Sequence, residues 1–280
     1  MSHSDGTMPT RFHIGLQRAA STYLYDLLAS HPDVALPRKG LGFFSNKFDR
    51  GLPWYLAQFM GDGVRIDSSP NYFFRGRTVA PRIAQALAGA APRFLLILRN
   101  PVDYTASRFL LHRRTNGFRK RFGMVPEDLE SLVAAHPEYL DESRYAALLE
   151  RHWFSRFDRS RFRIVLFEEF VRSPAAGAAE ILAFFGLRPN PLTATPSSRN
   201  ATLRHPVLHS IKRAIVRRTW LHAALRKNPV VQRMYDRWLV ARAPKLTADR
   251  RAWLGDLLGD DVARLKILLG DPLTGWTDFP

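Results

Sequence analysis

At 280 residues the chain is long enough to bury one sizeable core, and a hydrophobic share of 46% excludes disorder as its default state. It contains no cysteine, which excludes disulfides, thiolate metal sites and cysteine nucleophiles. Its net charge is +17. With no run of eighteen apolar residues and no apolar leader in MSHSDGTMPTRFHIG, it reads as a cytoplasmic protein without a transmembrane span, and the wealth of Arg and Ala suits a bacterium with GC-rich DNA.

Phe12-His13-Ile14-Gly15 is a short apolar run ending in Gly, and Tyr23 to Leu28 is apolar at helical spacing, so the first unit reads as strand, turn, helix. Ser30-His31-Pro32 ends that helix, because the residue before Pro is pushed out of the helical region. Val34 to Leu36 and Arg65 to Asp67 are short strands, the second followed by the turn Ser68-Ser69-Pro70. Thr78 to Ala88 reads as a helix with Pro81 near its start, where a missing N–H matters least. Phe94 to Leu98 is continuous, apolar and of strand length, as a parallel strand buried on both faces should be. After Arg99-Asn100-Pro101 a helix is predicted from Val102 to Arg114. Arg161 to Phe167 supplies another strand, and Ser173-Pro174 opens a helix to Phe184.

Strands alternating with helices predict a parallel α/β sheet with crossover helices. Beyond Pro189 the pattern turns helical and basic, with one stripe over Ile211, Ala214, Ile215, Leu221 and Leu225, and a last helix from Asp260 to Leu269. With no internal repeat and no low-complexity linker, residues 1–280 read as one domain, its core at about 11–190 and a basic helical region at about 199–280. Arg199 to Arg251 holds fourteen Lys and Arg against two acids, Asp236 and Asp249. Such a field attracts anions, while a solvated helical face accounts for the same charges without any ligand.

Two places can hold an anion. A turn between a strand and a helix N-terminus offers unpaired N–H groups and the positive end of the helix dipole. Here Arg18 adds a full charge and Ser21 and Thr22 add hydroxyls, though either hydroxyl also suits an ordinary N-cap. The Walker pattern G-x-x-x-x-G-K-[ST] is absent, so nucleoside-triphosphate hydrolysis loses its main support. At the second place, Arg99 ends the central strand and Ser107 lies eight residues on, in the next helix. Ligands of open α/β sheets gather at that edge, and an Arg fork and a Ser hydroxyl can share one phosphate.

The stretches FHIGLQRAASTYLYDLLASHPDVALPRKGLGFFS, WYLAQF, IDSSPNYFF and LLILRNPVDYTASRFLLHRR together resemble the PAPS-dependent sulfotransferases, in particular their heparan-sulfate and bacterial carbohydrate branch. The resemblance is strong over about residues 12–114 and loose over the remainder. It implies a P-loop-like parallel sheet flanked by helices, a sulfuryl donor, 3′-phosphoadenosine 5′-phosphosulfate (PAPS), released as 3′,5′-ADP, and no metal. It implies that Arg18, Ala19, Ala20, Ser21 and Thr22 hold the 5′-phosphosulfate and that Arg99 and Ser107 hold the 3′-phosphate. A later loop of the family closes over the nucleotide, and Asn200 and Arg204 in Arg199-Asn200-Ala201-Thr202-Leu203-Arg204 are its counterparts here.

The chain departs from the family at two points. The family loop carries Lys followed by Gly where this chain has Arg18-Ala19-Ala20, which keeps the charge but limits close backbone approach. The family's catalytic Glu, in a Lys-Glu pair before Phe-Phe, is Gly40 in Lys39-Gly40-Leu41-Gly42-Phe43-Phe44, and a Lys usual before Ser-Pro is replaced in Asp67-Ser68-Ser69-Pro70. Asp67 then stands as the candidate general base, or equally as a carboxylate that stabilises its turn. His13 (on the first strand, in the core), His112 (on the outer part of its helix) and Lys39 are weaker choices. Trp54 and Tyr55 are candidates to stack on a sugar.

The expected activity is sulfuryl transfer by in-line displacement, with Arg18 stabilising the departing 3′,5′-ADP and Asp67 taking the proton of a hydroxyl or amine on a carbohydrate or other small acceptor. Two alternatives stay open. One is a protein that binds PAPS or 3′,5′-ADP without efficient transfer. The other is a polyanion binder using residues 199–251, although no pattern for nucleic-acid binding is present and none is expected as a partner.

Overall fold

The computed structural model describes residues 8–115, 117–189, 202–203, 240–241 and 246–279. Five strands form the central sheet: β1 (Arg11–Gly15), β2 (Val34–Ala35), β3 (Val64–Ser68), β4 (Arg93–Leu98) and β5 (Phe162–Leu166). Their order is β2-β3-β1-β4-β5 and every pairing is parallel. Phe12 is opposite both Asp67 and Phe94, and Leu98 is opposite Leu166. The C-terminal ends of the strands therefore share one edge. The α/β class and all five strands follow the sequence reading, since runs such as Phe94 to Leu98, wholly buried here, fit only a strand covered on both faces.

The helices that cover the sheet follow from local signals with instructive exceptions. Helix α1 (Ser21–Ala29) starts two residues before the predicted Tyr23, which brings Ser21 and Thr22 into its first turn. Helices α2 (Phe43–Asn46) and α3 (Gly51–Leu56) are short. In α4 (Gly76–Ala86) Pro81 is interior rather than near the start, so one backbone bond of that helix is given up. Helix α5 (Pro101–Arg114) has Pro101 in its first turn and Asn100 as cap, accepting from the Val102 and Asp103 amides. Helices α6 (Gly117–Phe122), α7 (Leu129–Ala135) and α8 (Tyr145–Leu148) follow. After β5 an unpredicted α9 (Phe167–Arg172) precedes the expected α10 (Pro174–Phe184).

The last helix, α11 (Ala248–Leu269), is 22 residues long, more than twice the predicted length. Gly255 and Gly259 are weak helix formers, yet Leu254, Leu258, Val262 and Leu265 form a buried stripe that offsets their propensity. Its Thr247 cap and its left-handed Gly270 mark clean ends. The backbone at Thr202–Leu203 pairs antiparallel with Val240–Ala241, so the basic region is not helical throughout. The helix expected over 211–225 lies outside the described residues.

Buried side chains from the sheet, α1, α4, α5, α10 and α11 form one continuous apolar cluster. Trp153 is wholly buried, and its indole N–H donates to the Phe73 carbonyl at 3.0 Å.

Candidate functional site

Three loops leave neighbouring strands at the shared edge. The first, residues 16–20, leaves β1, and its Leu16 amide donates to the Ile97 carbonyl of β4 at 3.1 Å. Arg18 and Ala20 have φ of 68° and 53°, the left-handed region that side chains other than glycine enter at a cost of about 1–2 kcal/mol. This curl delivers the chain into α1, whose first turn has no side-chain cap. Its leading amides thus face the loop, and Ser21 and Thr22 stand beside them. Ala20→Gly is expected to raise the unfolding free energy by about 0.5–1 kcal/mol, the relieved strain less the extra freedom of an unfolded glycine. Denaturant titration checks this, and an unchanged or lower stability would show that Ala20 is not strained.

The second loop leaves β4. Arg99 donates from Nη1 to the Arg18 carbonyl at 3.2 Å, its guanidinium lies 5.2 Å from the centre of the Phe167 ring, and its own carbonyl accepts from the Tyr145 hydroxyl at 3.0 Å. Ser107, two turns into α5 and nearly buried, accepts from Arg18 Nε at 3.0 Å. The two residue groups singled out in the sequence thus meet, although Arg18 reaches across toward α5 rather than only over its own loop.

The junction below them is stapled by the C-terminal segment. The Asn100 amide donates to Glu168 at 2.9 Å and its side chain to Asp278 at 2.8 Å. Arg251 joins Asp278 at 2.8 Å and Asp103 at 2.7 Å, and the Trp276 indole donates to Glu168 at 3.0 Å. None of these pairings carries a sequence signal.

The third loop leaves β3, and here the surroundings of Asp67 favour the second of its two readings, the carboxylate that stabilises its turn. Asp67 is fully buried. Its Oδ2 accepts from the Tyr55 and Tyr72 hydroxyls at 2.8 and 2.9 Å, and its Oδ1 from Ser69 at 2.6 Å. Burial raises its pKa and the three hydrogen bonds pull it back down. A carboxylate with no exposed surface and both oxygens engaged has no face for an acceptor hydroxyl. It instead organises its surroundings: Ser69 accepts from the Gly42 amide at 3.1 Å and Tyr72 from the Phe44 amide at 3.1 Å, while the Gly40 amide donates to the Ser68 carbonyl at 3.2 Å. Segment 39–44 is thereby fixed against the end of β3. Tyr55, expected to stack on a sugar, is wholly buried in this network. Trp54 is half-buried, with Lys47 and Arg50 5.7 and 4.9 Å from its ring centre.

Lys39, held by that segment, donates from Nζ to Thr22 Oγ1 in the first turn of α1. His13 is wholly buried. Burial lowers its pKa to about 3 despite the Gly15 carbonyl, which acts in the opposite direction. As a neutral ring it links the Ser68 hydroxyl at 2.9 Å to the Gly15 carbonyl at 3.1 Å, a structural tie between β3 and β1. His112, expected on the outside of α5, lies against Phe118 and Tyr139, and burial followed by the Arg108 charge lowers its pKa to about 4. Asn200 and Arg204 lie outside the described residues. Among the described residues no group of His, Asp or Glu could hold a metal ion, and no helix is long and apolar enough to cross a membrane.

No family model matches the chain. It is 26% identical over 196 residues to a bifunctional heparan sulfate N-deacetylase/N-sulfotransferase 1 of Caenorhabditis briggsae, an alignment covering 62% of this chain and 22% of that protein. It is 25% identical over 194 residues to heparan sulfate glucosamine 3-O-sulfotransferase 5 of Mus musculus, covering 65% of this chain and 54% of the other. The chain therefore spans about half, or less, of the length of these relatives. Its fold matches a sulfotransferase structure from Alicyclobacillus acidocaldarius with a TM-score of 0.63 at 21% identity, over 97% of this chain and 99% of that one. The chain is thus similar to sulfotransferases in sequence and in fold. The sheet edge described above combines two guanidinium groups, an ammonium, three hydroxyls and a helix N-terminus without a side-chain cap, a donor set that suits an anion.

Proposed function

We propose that the chain is an enzyme that moves a sulfuryl group from PAPS to a hydroxyl or amine of an acceptor. One observation carries the reading: at a single sheet edge the uncapped start of α1, with Ser21 and Thr22, meets Arg18, Arg99 and Ser107. The loop Arg18 to Thr22 would hold the 5′-phosphosulfate through backbone N–H groups and hydroxyls, and Arg99 with Ser107 would hold the 3′-phosphate as a charged fork and a donor. Asn200 and Arg204 would close over the nucleotide from the basic segment.

Bound PAPS would supply sulfur to an in-line displacement in which the acceptor–sulfur bond forms, the bond from sulfur to the bridging oxygen breaks, its electron pair stays on 3′,5′-ADP, and the acceptor proton leaves. With Asp67 enclosed, water or the acceptor's own groups receive that proton. The relatives are named for heparan sulfate, which supports a carbohydrate acceptor, and the Trp54 face with its two cations offers a surface on which a sugar can lie.

The reading is tested by binding and by turnover. PAPS should bind at least about 100-fold more tightly than adenosine 5′-phosphosulfate, which lacks the 3′-phosphate. Protein incubated with sulfur-labelled PAPS and a panel of glycans and small alcohols or amines should label at least one acceptor and release 3′,5′-ADP. Equal affinity for the two donors would remove the 3′-phosphate assignment. The enclosure of Asp67, together with Gly40 at the family's Glu position, favours a second reading, a nucleotide-binding protein without transfer. Tight PAPS binding with no labelled acceptor would select it.

A further inference from the structure

Arg99 and Ser107 lie on either side of the point where β4 passes into α5, and the residue at that point is Asn100. Both polar atoms of its side chain are engaged. Oδ1 accepts from the Val102 and Asp103 amides at 2.9 and 3.4 Å, which caps α5, and Nδ2 donates to Asp278 Oδ2 at 2.8 Å. An ionised carboxylate can only accept, so Asp278 decides which end of the Asn100 amide faces the helix. The Asn100 backbone is held as well. Its N–H donates to Glu168 Oε1 at 2.9 Å, and its carbonyl accepts from the Tyr104 amide at 2.8 Å.

The two carboxylates that grip Asn100 are themselves oriented from far along the chain. Arg251, near the start of α11, closes a fork on both oxygens of Asp278 and extends its third nitrogen to Asp103 in the first turn of α5. The Trp276 indole donates to Glu168 Oε2 at 3.0 Å, leaving Oε1 to Asn100. The Trp276 ring is buried and meets the Tyr145 ring edge-on at 6.2 Å, and Tyr145 donates to the Arg99 carbonyl at 3.0 Å. Residues 276 and 278 therefore reach Arg99 by two routes, through Asn100 and through Tyr145.

We infer that Asp278 and Trp276 are positioning residues for the 3′-phosphate half of the site: they set the angle at which β4 passes into α5, and hence where the Arg99 guanidinium stands relative to the Ser107 hydroxyl. The inference rests on the nucleotide reading above and deepens it. A fork and a hydroxyl that share one phosphate must be held to within about half an ångström, and the junction between them sets that distance. The start of α1 takes its place from a different contact, the Leu16 amide on the Ile97 carbonyl, which lies before the junction. Loosening the junction should thus act on one half of the ligand.

Two nucleotides separate the halves: 3′,5′-ADP engages both, and 5′-AMP engages the start of α1 alone. In Asp278→Asn a group that only accepts becomes one that also donates, so the Asn100 amide loses its fixed orientation. Calorimetry should show the affinity for 3′,5′-ADP falling about 5- to 50-fold, with that for 5′-AMP staying within about threefold. Trp276→Phe keeps a buried ring, removes the N–H donor, and should lower 3′,5′-ADP affinity about 3- to 10-fold. Because the effect passes through Arg99, adding Asp278→Asn to Arg99→Ala should weaken 3′,5′-ADP by less than about threefold more. A merely structural role would weaken the two nucleotides alike, or add its full effect to that of Arg99→Ala. Thermal unfolding checks that each variant is folded. Unchanged 3′,5′-ADP affinity in both folded variants, equal losses for the two nucleotides, or additivity with Arg99→Ala would overturn the positioning role and leave the nucleotide reading standing. If the unaltered protein binds neither 3′,5′-ADP nor 5′-AMP, that reading fails and the positioning role fails with it.

Discussion

Arg99→Ala should weaken 3′,5′-ADP binding by about 2–4 kcal/mol, a loss of roughly 30- to 1000-fold. The size of the effect comes from how completely Arg99 is prearranged. Its backbone carbonyl is clamped by Tyr145, its guanidinium rests against Phe167, and one nitrogen already holds the Arg18 carbonyl. A charged donor ordered before binding loses little side-chain freedom when an anion arrives, so most of its interaction survives as affinity. Lysine at 99 keeps the charge and loses the fork, so an intermediate affinity is expected. Calorimetry with 3′,5′-ADP measures the change and 5′-AMP serves as control, its affinity staying within a few-fold. An unaltered 3′,5′-ADP affinity in folded Arg99→Ala would remove Arg99 from the site.

Asp67→Ala is expected to cost about 3–5 kcal/mol of stability, because the hydroxyls of Tyr55, Tyr72 and Ser69 lose their acceptor at a site closed to water. Asp67→Asn keeps one acceptor oxygen and should cost less, about 1–2 kcal/mol. The two proteins should also differ in pH dependence. Since the folded pKa of Asp67 is raised above its unfolded value, ionisation of the group works against folding. Its contribution is fully present below the unfolded pKa, in the acidic range, and declines as pH rises through the folded value. Relative to Asp67→Asn, the unaltered protein should therefore gain stability as pH is lowered toward 4. Denaturant titrations at several pH values measure this. A folded Asp67→Asn protein with normal stability and turnover reduced by about 100-fold or more would instead restore Asp67 as the base.

The contrast between these two residues shows what a linear sequence can disclose. The position of Arg99 at the sheet edge was legible because it follows five consecutive buried apolar residues, a pattern with one structural solution, and the position of Ser107 because it sits at a helical spacing that the cap at Asn100 makes firm. The strands at the sheet centre were legible for the same reason. The role of Asp67 was not, because it depends on Tyr55 and Tyr72, which only the fold brings together around one carboxylate. Nor was the partnership of Lys39 with Thr22, which needs the positive φ at Gly40 and the hydrogen bonds behind it. Helix α9 was hidden because a strand ends directly where it begins, at Leu166 and Phe167. Two glycines masked the first half of α11 until tertiary burial outweighed them.

The staple beneath Arg99 bears on the order in which the molecule assembles. Asn100 and Asp278 are 178 residues apart, Arg251 and Asp103 are 148 apart, and Ala146 and Asp261 are 115 apart. Arg18 and Ser107, in contrast, are separated by 89 residues, and β1 pairs directly with β3 and β4. Longer closures are entropically dearer, by about 0.6 kcal/mol per doubling, and contacts of high sequence separation slow folding. On a ribosome the sheet and its first loops can collapse while α11 and the Trp276 segment are still unmade. A nascent chain would thus hold the rudiments of the candidate anion site, whose floor, at the β4–α5 junction, becomes rigid only when that distant stretch returns.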